Sequence, residues 1–233
     1  MGDNAIIKVI KSIRSRGFLT TLRVFISLII DLLFDIKYGT DTMRFVELEK
    51  LELNSSFRDK GNDYIPTRSK HLRKIFKMGM FSEESSFVDL GSGKGRTLLI
   101  ASEYFKKVKG IEFSEELCEI AKKNIVIYNE KRKDHSFRNN IQVIYADVTD
   151  YNINDEENVF FMYNPFDETV LKKFLKNIEV SINKTPRTVW IIYYYPLHRD
   201  IIDKSPTFIR ERHMNMDGIE CIIYKAEQTC CAN

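Results

Sequence analysis

The sequence predicts an α/β fold: a doubly wound, mostly parallel sheet with an antiparallel C-terminal hairpin strand, preceded by an N-terminal helical extension. Three observations carry this. From Tyr64 onward, short β-prone apolar runs alternate with segments of helical period, the pattern of a parallel sheet covered by helices on both faces. Near the end, two strand-like runs flank the turn-rich Met214-Asn-Met-Asp-Gly218. Ahead of the alternation, Ile6, Ile10, Ile13, Leu22, Ile26, Ile29 and Leu33 recur at helical spacing.

The extension is assigned to residues 1–60 and the α/β domain to 61–233. Gly17 marks a break between two helices, and Gly39 with the Thr/Asp cluster of Asp35 to Thr42 reads as the turn that ends the extension. Residues up to about Asp63 are polar and weakly periodic, as a loose junction would be. Ser69 to Met78 reads as a lead-in helix and Ser86 to Leu90 as a short buried strand. Arg96 to Phe105 is a helix, Val108 to Phe113 a strand, and Glu115 to Lys131 a long helix with Leu117, Ile120, Ala121 and Ile125 on one face. Strands follow at Ile141 to Ala146 and Asn158 to Tyr163, then a helix from Glu168 to Ile182. A strongly β-prone strand, Thr188 to Tyr195, stops at Pro196. Thr207 to His213 and Ile219 to Tyr224 form the closing hairpin.

Composition narrows the function classes. Hydrophobic residues at 43% and charged residues at 30%, with no low-complexity tract, describe a folded chain. A net charge of +3, from 36 basic and 33 acidic residues, is too balanced to mark a nucleic-acid binder. The cations from Lys122 to Arg138 read as a solvated helix end and loop. Cys118, Cys221, Cys230 and Cys231 contain no C-x-x-C pair, so no metal site is expected and a reducing cytoplasm fits. His71, His135, His198 and His213 have no partner at triad or metal spacing and are expected on the surface or in the core. The apolar run from Val24 to Phe34 follows basic residues but is too short to span a bilayer. It reads as an amphipathic helix docked on the domain or, alternatively, resting on a membrane surface.

The chemistry concentrates in Phe87-Val-Asp-Leu-Gly-Ser-Gly-Lys-Gly-Arg96, between a buried strand and a helix. Gly91, Gly93 and Gly95 let the backbone turn sharply and approach a ligand, with amides at the helix start free to bind. A P-loop needs G-x-x-x-x-G-K-[ST], and Lys94 is followed by glycine. A dinucleotide loop needs G-x-G-x-x-G, and Asp89 would repel a pyrophosphate. The same carboxylate suits a cationic amino-acid end.

This segment resembles the first motif of class I, Rossmann-like, S-adenosylmethionine (SAM)-dependent methyltransferases, an acidic residue and a hydrophobe followed by G-x-G-x-G. Together with Tyr-Asn-Pro-Phe at 163–166, it looks like a group of small bacterial methyltransferase-domain proteins. The resemblance, which covers Tyr64 to about Ala226, implies SAM as cofactor, held by Asp89, Gly91, Ser92, Gly93 and Gly95. Glu112, about 20 residues past the loop at a strand end, is placed for the ribose hydroxyls, with Phe113 beside the adenine. Asp147 resembles the family residue that accepts from the adenine amino group, and the Val148 amide would meet a ring nitrogen. Tyr64-Ile-Pro-Thr67 resembles a Y-x-P-[TS] entry segment that folds over the methionine end, making Tyr64 and Thr67 cofactor candidates; it also reads as a plain turn.

On the acceptor side, Asn164-Pro-Phe resembles the N-P-P-[FY] signature of amino-group methyltransferases with one proline missing. The resemblance makes Asn164 the catalytic candidate, its side-chain oxygen orienting a protein lysine or small-molecule amine; Asn-Pro is equally a common turn starter. Tyr193, Tyr194 and Tyr195 end a strand on the same rim, with alternate rings on opposite faces. The rival functions are O-methylation of a sugar, lipid or other metabolite, and a non-catalytic SAM-binding module.

Overall fold

The computed structural model describes residues 14–15, 17–47, 49, 51, 63–132 and 141–226. The expectations for residues 4–13, for most of the junction before Asp63, for Lys133, His135 and Arg138, and for Cys230 and Cys231 lie outside them. In chain order the elements are α1 (Phe18–Tyr38), α2 (Ser69–Phe76), β1 (Ser86–Leu90), α3 (Arg96–Ala101), β2 (Lys107–Glu112), α4 (Glu115–Lys131) and β3 (Ile141–Tyr145). Then come β4 (Glu157–Tyr163), α5 (Glu168–Lys184), β5 (Val189–Tyr194), α6 (Arg199–Asp203), β6 (Ile209–Met216) and β7 (Ile219–Ala226).

The seven strands form one sheet in the order β3-β2-β1-β4-β5-β7-β6. Pairings from β3 through to β5 are parallel, and β7 inserts antiparallel between β5 and β6. The β6–β7 turn is two residues, Asp217 and Gly218, at φ 52° and 86°. Two successive positive φ values give the turn whose twist matches that of the flanking strands.

Side chains alternate across the sheet and feed two cores. Val88, Leu90, Ile191 and Tyr193 pack on one face beneath α5; Phe87, Phe161, Ile192 and Tyr194 pack on the other with α2 and α3. The helices start where capping chemistry permits. Ser114 Oγ accepts the Leu117 N–H at 3.3 Å to open α4, with Glu115 and Glu116 in the first turn; Asp167 accepts the Val170 N–H at 2.9 Å to open α5.

Several boundaries differ from expectation. The first described long helix runs to Tyr38, not Phe34, because Asp35 is part of its last turn and Gly39, at φ 71°, supplies the left-handed cap. Its N–H donates to the Asp35 carbonyl at 2.6 Å. α3 stops at Ala101 instead of Phe105, and Tyr104 and Phe105 continue only as turns bonded to the Ala101 carbonyl. The short helix α6 had no periodicity long enough to announce it. Across the junction Val46 and Tyr64 form an isolated antiparallel bridge, and Leu51 is buried beside Leu117, so these described residues pack on the domain.

His71 also departs from the reading of a histidine without partners. Its Nδ1 lies 2.7 Å from the Tyr194 hydroxyl and its Nε2 3.1 Å from the Asp217 carboxylate. Burial holds its pKa below the usual histidine value, against the Asp217 carboxylate, which raises it. The three residues are 123 and 146 positions from one another's partner in sequence, a separation that only the folded sheet closes.

Candidate cofactor and acceptor site

β1 lies between β2 and β4, which are reached by chain running in opposite directions from it; open α/β sheets place ligand crevices outside the carboxyl ends of strands at such a point. The Gly91–Gly95 loop leaves β1 there, and the amides of Gly91 and Ser92 both donate to the Ile111 carbonyl of β2, at 2.9 and 3.1 Å. A Cβ on Gly91, at φ 76°, would stand 2.6 Å from the Pro165 Cβ. A Cβ on Gly93 would stand 2.2 Å from the Tyr64 ring. The loop is therefore closed on by the Asn-Pro turn on one side and the Tyr64 segment on the other, and only glycine admits both.

A cavity opens between these parts. Tyr64, Thr67, Asp89, Gly91, Ser92, Gly93, Glu112 and Phe113 all line it, bringing together eight residues that the sequence placed at three separate points. Glu112 is buried, with Oε2 accepting the Gly93 N–H at 2.7 Å and Oε1 the Ser114 N–H at 2.9 Å. Asp89 is buried too and accepts from Thr97. Burial pushes both carboxyls above their usual range, and for Asp89 the neighbouring Glu112 charge adds to the rise. Two buried acids beside one cavity form a site that a cation stabilises, and the Ser92 hydroxyl, buried at its rim with no hydrogen-bond partner among the described residues, adds a polar group for a ligand.

Tyr64 donates its hydroxyl to the Thr42 carbonyl at 2.8 Å, and burial raises its pKa well above that of a free phenol. Lys94, buried within the loop, reaches Asp41 at 3.0 Å, while Asn124 of α4 bonds the Lys94 carbonyl and both sides of the Asp41 peptide. The segment 41–46 thus ties the loop to α4.

Four candidates stand outside the cavity lining. Gly95, at φ 83°, caps α3, and a Cβ there would meet the Ala121 Cβ at 3.2 Å; its work is helix packing. Asp147 follows edge strand β3 and accepts the Thr149 N–H at 2.7 Å, while the Val148 side chain enters the core beneath α5. Asn164 is buried between the lining residues Tyr163 and Pro165, with its backbone at φ 40° and its Oδ1 accepting from the Tyr193 hydroxyl at 2.9 Å. Asparagine is among the residues that tolerate a positive φ best. Tyr193 in turn accepts the His198 N–H at 3.3 Å, so its own proton is directed at Asn164.

Sequence reasoning missed Leu51, Ile65, Arg96, Thr97, Leu117 and Tyr163 in the lining. Thr97 had a signal, since it follows the loop directly and a helix start places it beneath the preceding strand end. Leu51 had none.

Known proteins resemble this chain in family and in fold. A family model described as Histone methylation protein DOT1 matches residues 43–187. An RNA methyltransferase from Salinibacter ruber, solved with S-adenosyl-L-homocysteine, is similar at 17% identity and TM-score 0.52, over 72% of this chain and 98% of that one. A ribosomal protein L11 methylase from Lactobacillus delbrueckii subsp. bulgaricus has TM-score 0.53 at 12% identity, over 79% and 100% of the two chains. A putative RNA methyltransferase from Pyrococcus horikoshii has TM-score 0.53 at 16% identity, over 78% and 94%. At such identities the likeness is one of fold. No curated protein matches the sequence.

Proposed function

The chain belongs to the DOT1 histone methylation protein family and is a SAM-dependent methyltransferase, and from that premise we propose that its acceptor is an amine nitrogen, in first place a protein lysine. The observation that carries the acceptor reading is Asn164, buried at the end of β4, held at a positive φ and turned by Tyr193, with Pro165 closed against the cofactor loop. A strained backbone supported by its surroundings at the mouth of a crevice is where positioning is expected.

The residues present fit SAM. Asp89 and Glu112 supply the carboxylates that a cationic amino-acid end and a ribose diol require, and Phe113 supplies an apolar surface beside them. When bound, the cofactor supplies an electrophilic methyl on a sulfonium. The chain contributes position, which for two reactants held in line accounts for a large part of a barrier. A carboxamide oxygen has two lone pairs. The Tyr193 hydroxyl donates to one, which fixes the amide plane at the end of β4. An amine that has already lost its proton to water needs no buried base.

The test is Asn164→Ala, assayed with methyl-labelled SAM against lysine-containing protein from a fractionated lysate. We expect turnover to fall at least about a hundredfold, as for loss of a transition-state hydrogen-bonding group, with SAM affinity by calorimetry little changed. Turnover retained in the variant would sink the role of Asn164, and label entering lipid or sugar in place of protein would sink the lysine reading.

A further inference from the structure

Helix α1 meets the domain with its polar side. Ser27, Asp31 and Asp35 are buried in the contact, with Phe34 the one large apolar side chain of the helix beside them. Asp31 accepts from the Ser69 amide at 3.0 Å, from the Ser69 hydroxyl, and from the Arg96 guanidinium at 2.8 Å. Asp35 accepts from the Thr40 and Thr42 hydroxyls at 2.7 Å each and from the amides of Thr42 and Met43. These bonds set the rotation of the helix about its axis. A rotation that hid the apolar side would leave Arg96, itself buried, without its carboxylate, which is strongly destabilising.

The opposite side therefore faces outward by construction. Eleven large apolar side chains of α1 are exposed, among them Phe18 at 63%, Leu19 at 68% and Ile36 at 67%. At about 100° per residue they sweep an arc of roughly 200°. A helix packed on a partner buries a stripe of roughly 100°. One partner helix would leave about half of this arc in water, whereas a hydrocarbon surface covers it whole.

Charge identifies the surface. Along one edge of the arc, Arg23 and Ile30 form one wall of a groove of about 730 Å³, and α2 with its C-terminal cap residue forms another, through Lys70, Lys74 and Lys77. All four cations are exposed. Cations bordering an apolar helical face are the arrangement of helices that lie in the interface of anionic membranes. We propose that α1 rests in the headgroup region of an anionic bilayer, its apolar arc in the hydrocarbon and Arg23 with the α2 lysines on lipid phosphates. The helix lies along the surface, since no described helix is long and apolar enough to cross a membrane.

Flotation of the full chain with phosphatidylcholine vesicles, with and without phosphatidylglycerol, tests this. The chain is expected to float with the anionic vesicles and far less with the neutral ones. Lys70→Gln, Lys74→Gln and Lys77→Gln together should lower partitioning roughly fivefold per lysine. Phe25→Glu with Ile29→Glu should abolish flotation while SAM binding by calorimetry persists. Should that double variant fail to fold, the lysine variant, altered only at exposed positions, decides. No flotation of the unaltered chain with anionic vesicles overturns the proposal. So does a chain that fails to float and instead forms a dimer dissociated by Phe25→Glu, which would give this face to a second copy. Either result leaves the methyltransferase reading untouched, because SAM binding is measured separately.

Discussion

Helices α1 and α5 are both amphipathic, and they dock in opposite senses. α5 buries Val170, Leu171, Phe174, Leu175, Ile178 and Ile182 against the sheet and shows lysines to solvent. α1 buries Ser27, Asp31 and Asp35 with a single phenylalanine, Phe34, and shows its leucines, its isoleucines, Phe18 and Phe25. Helical period establishes that two faces differ. Which face turns inward depends on what waits in the domain: an apolar sheet for α5, and the buried guanidinium of Arg96 for α1.

The largest effects should come from the inward faces. Phe174→Ala removes a fully buried ring that meets Phe160 edge-on at 5.5 Å between centroids, and should destabilise by about 3–5 kcal/mol in urea unfolding. Asp31→Ala leaves Arg96 buried without a partner at that position and should lose about 3 kcal/mol or more. Because Arg96 also lines the cavity, SAM binding by calorimetry should weaken with it. If Asp31→Ala were neutral while Phe174→Ala was severe, α1 would not be held by its polar face and the contrast would fail.

A smaller effect separates the cavity from both helices. The folded pKa of Asp89 lies well above its ordinary 3.8, so the stability it contributes is present below about 3.8 and lost as pH rises through the raised value. His71, held below 6.5, acts in the other direction, its stability being lost as pH falls. Melting curves across pH without cofactor should therefore show Asp89→Asn losing less stability on going to neutral pH than the unaltered chain. SAM should bind the unaltered chain more tightly as pH rises and Asp89 ionises. Equal pH slopes in the two proteins would remove Asp89 as the buried acid of this site.

The smallest effect belongs to the outward face. Phe25 is 58% exposed, and Phe25→Ala should change stability by no more than about 0.5 kcal/mol in the same unfolding assay. A loss near that of Phe174→Ala would mean that α1 is covered in solution by something bound tightly enough to copurify.

Much of the fold was legible because it is locally encoded. The strands of the central sheet are short apolar runs between turn residues, α4 matches its expected limits because Ser114 caps it, and the hairpin turn is set by Asp217-Gly218. Helix ends without a strong cap were less legible: α3 ends at Ala101 with no glycine or proline to announce it. In the site, Asp89, the glycines and Glu112 were found because each sits at a strand end in a recognisable order. Tyr193 and Tyr194 were placed on the rim, but the bond of Tyr193 to Asn164 and the link of His71 to Tyr194 and Asp217 were not legible, since nothing in a linear string links residues that meet only across the sheet.

The sequence by itself determined the alternation of elements and the glycine loop with its neighbouring acids, because period, turn residues and motif spacing act over a few residues. Only the tertiary structure decided that eight of those residues share one cavity and that Asn164 faces Tyr193. It alone decided that α1 turns its carboxylates inward, because a buried Arg96 requires a counter-charge more than the apolar face of one surface helix requires cover.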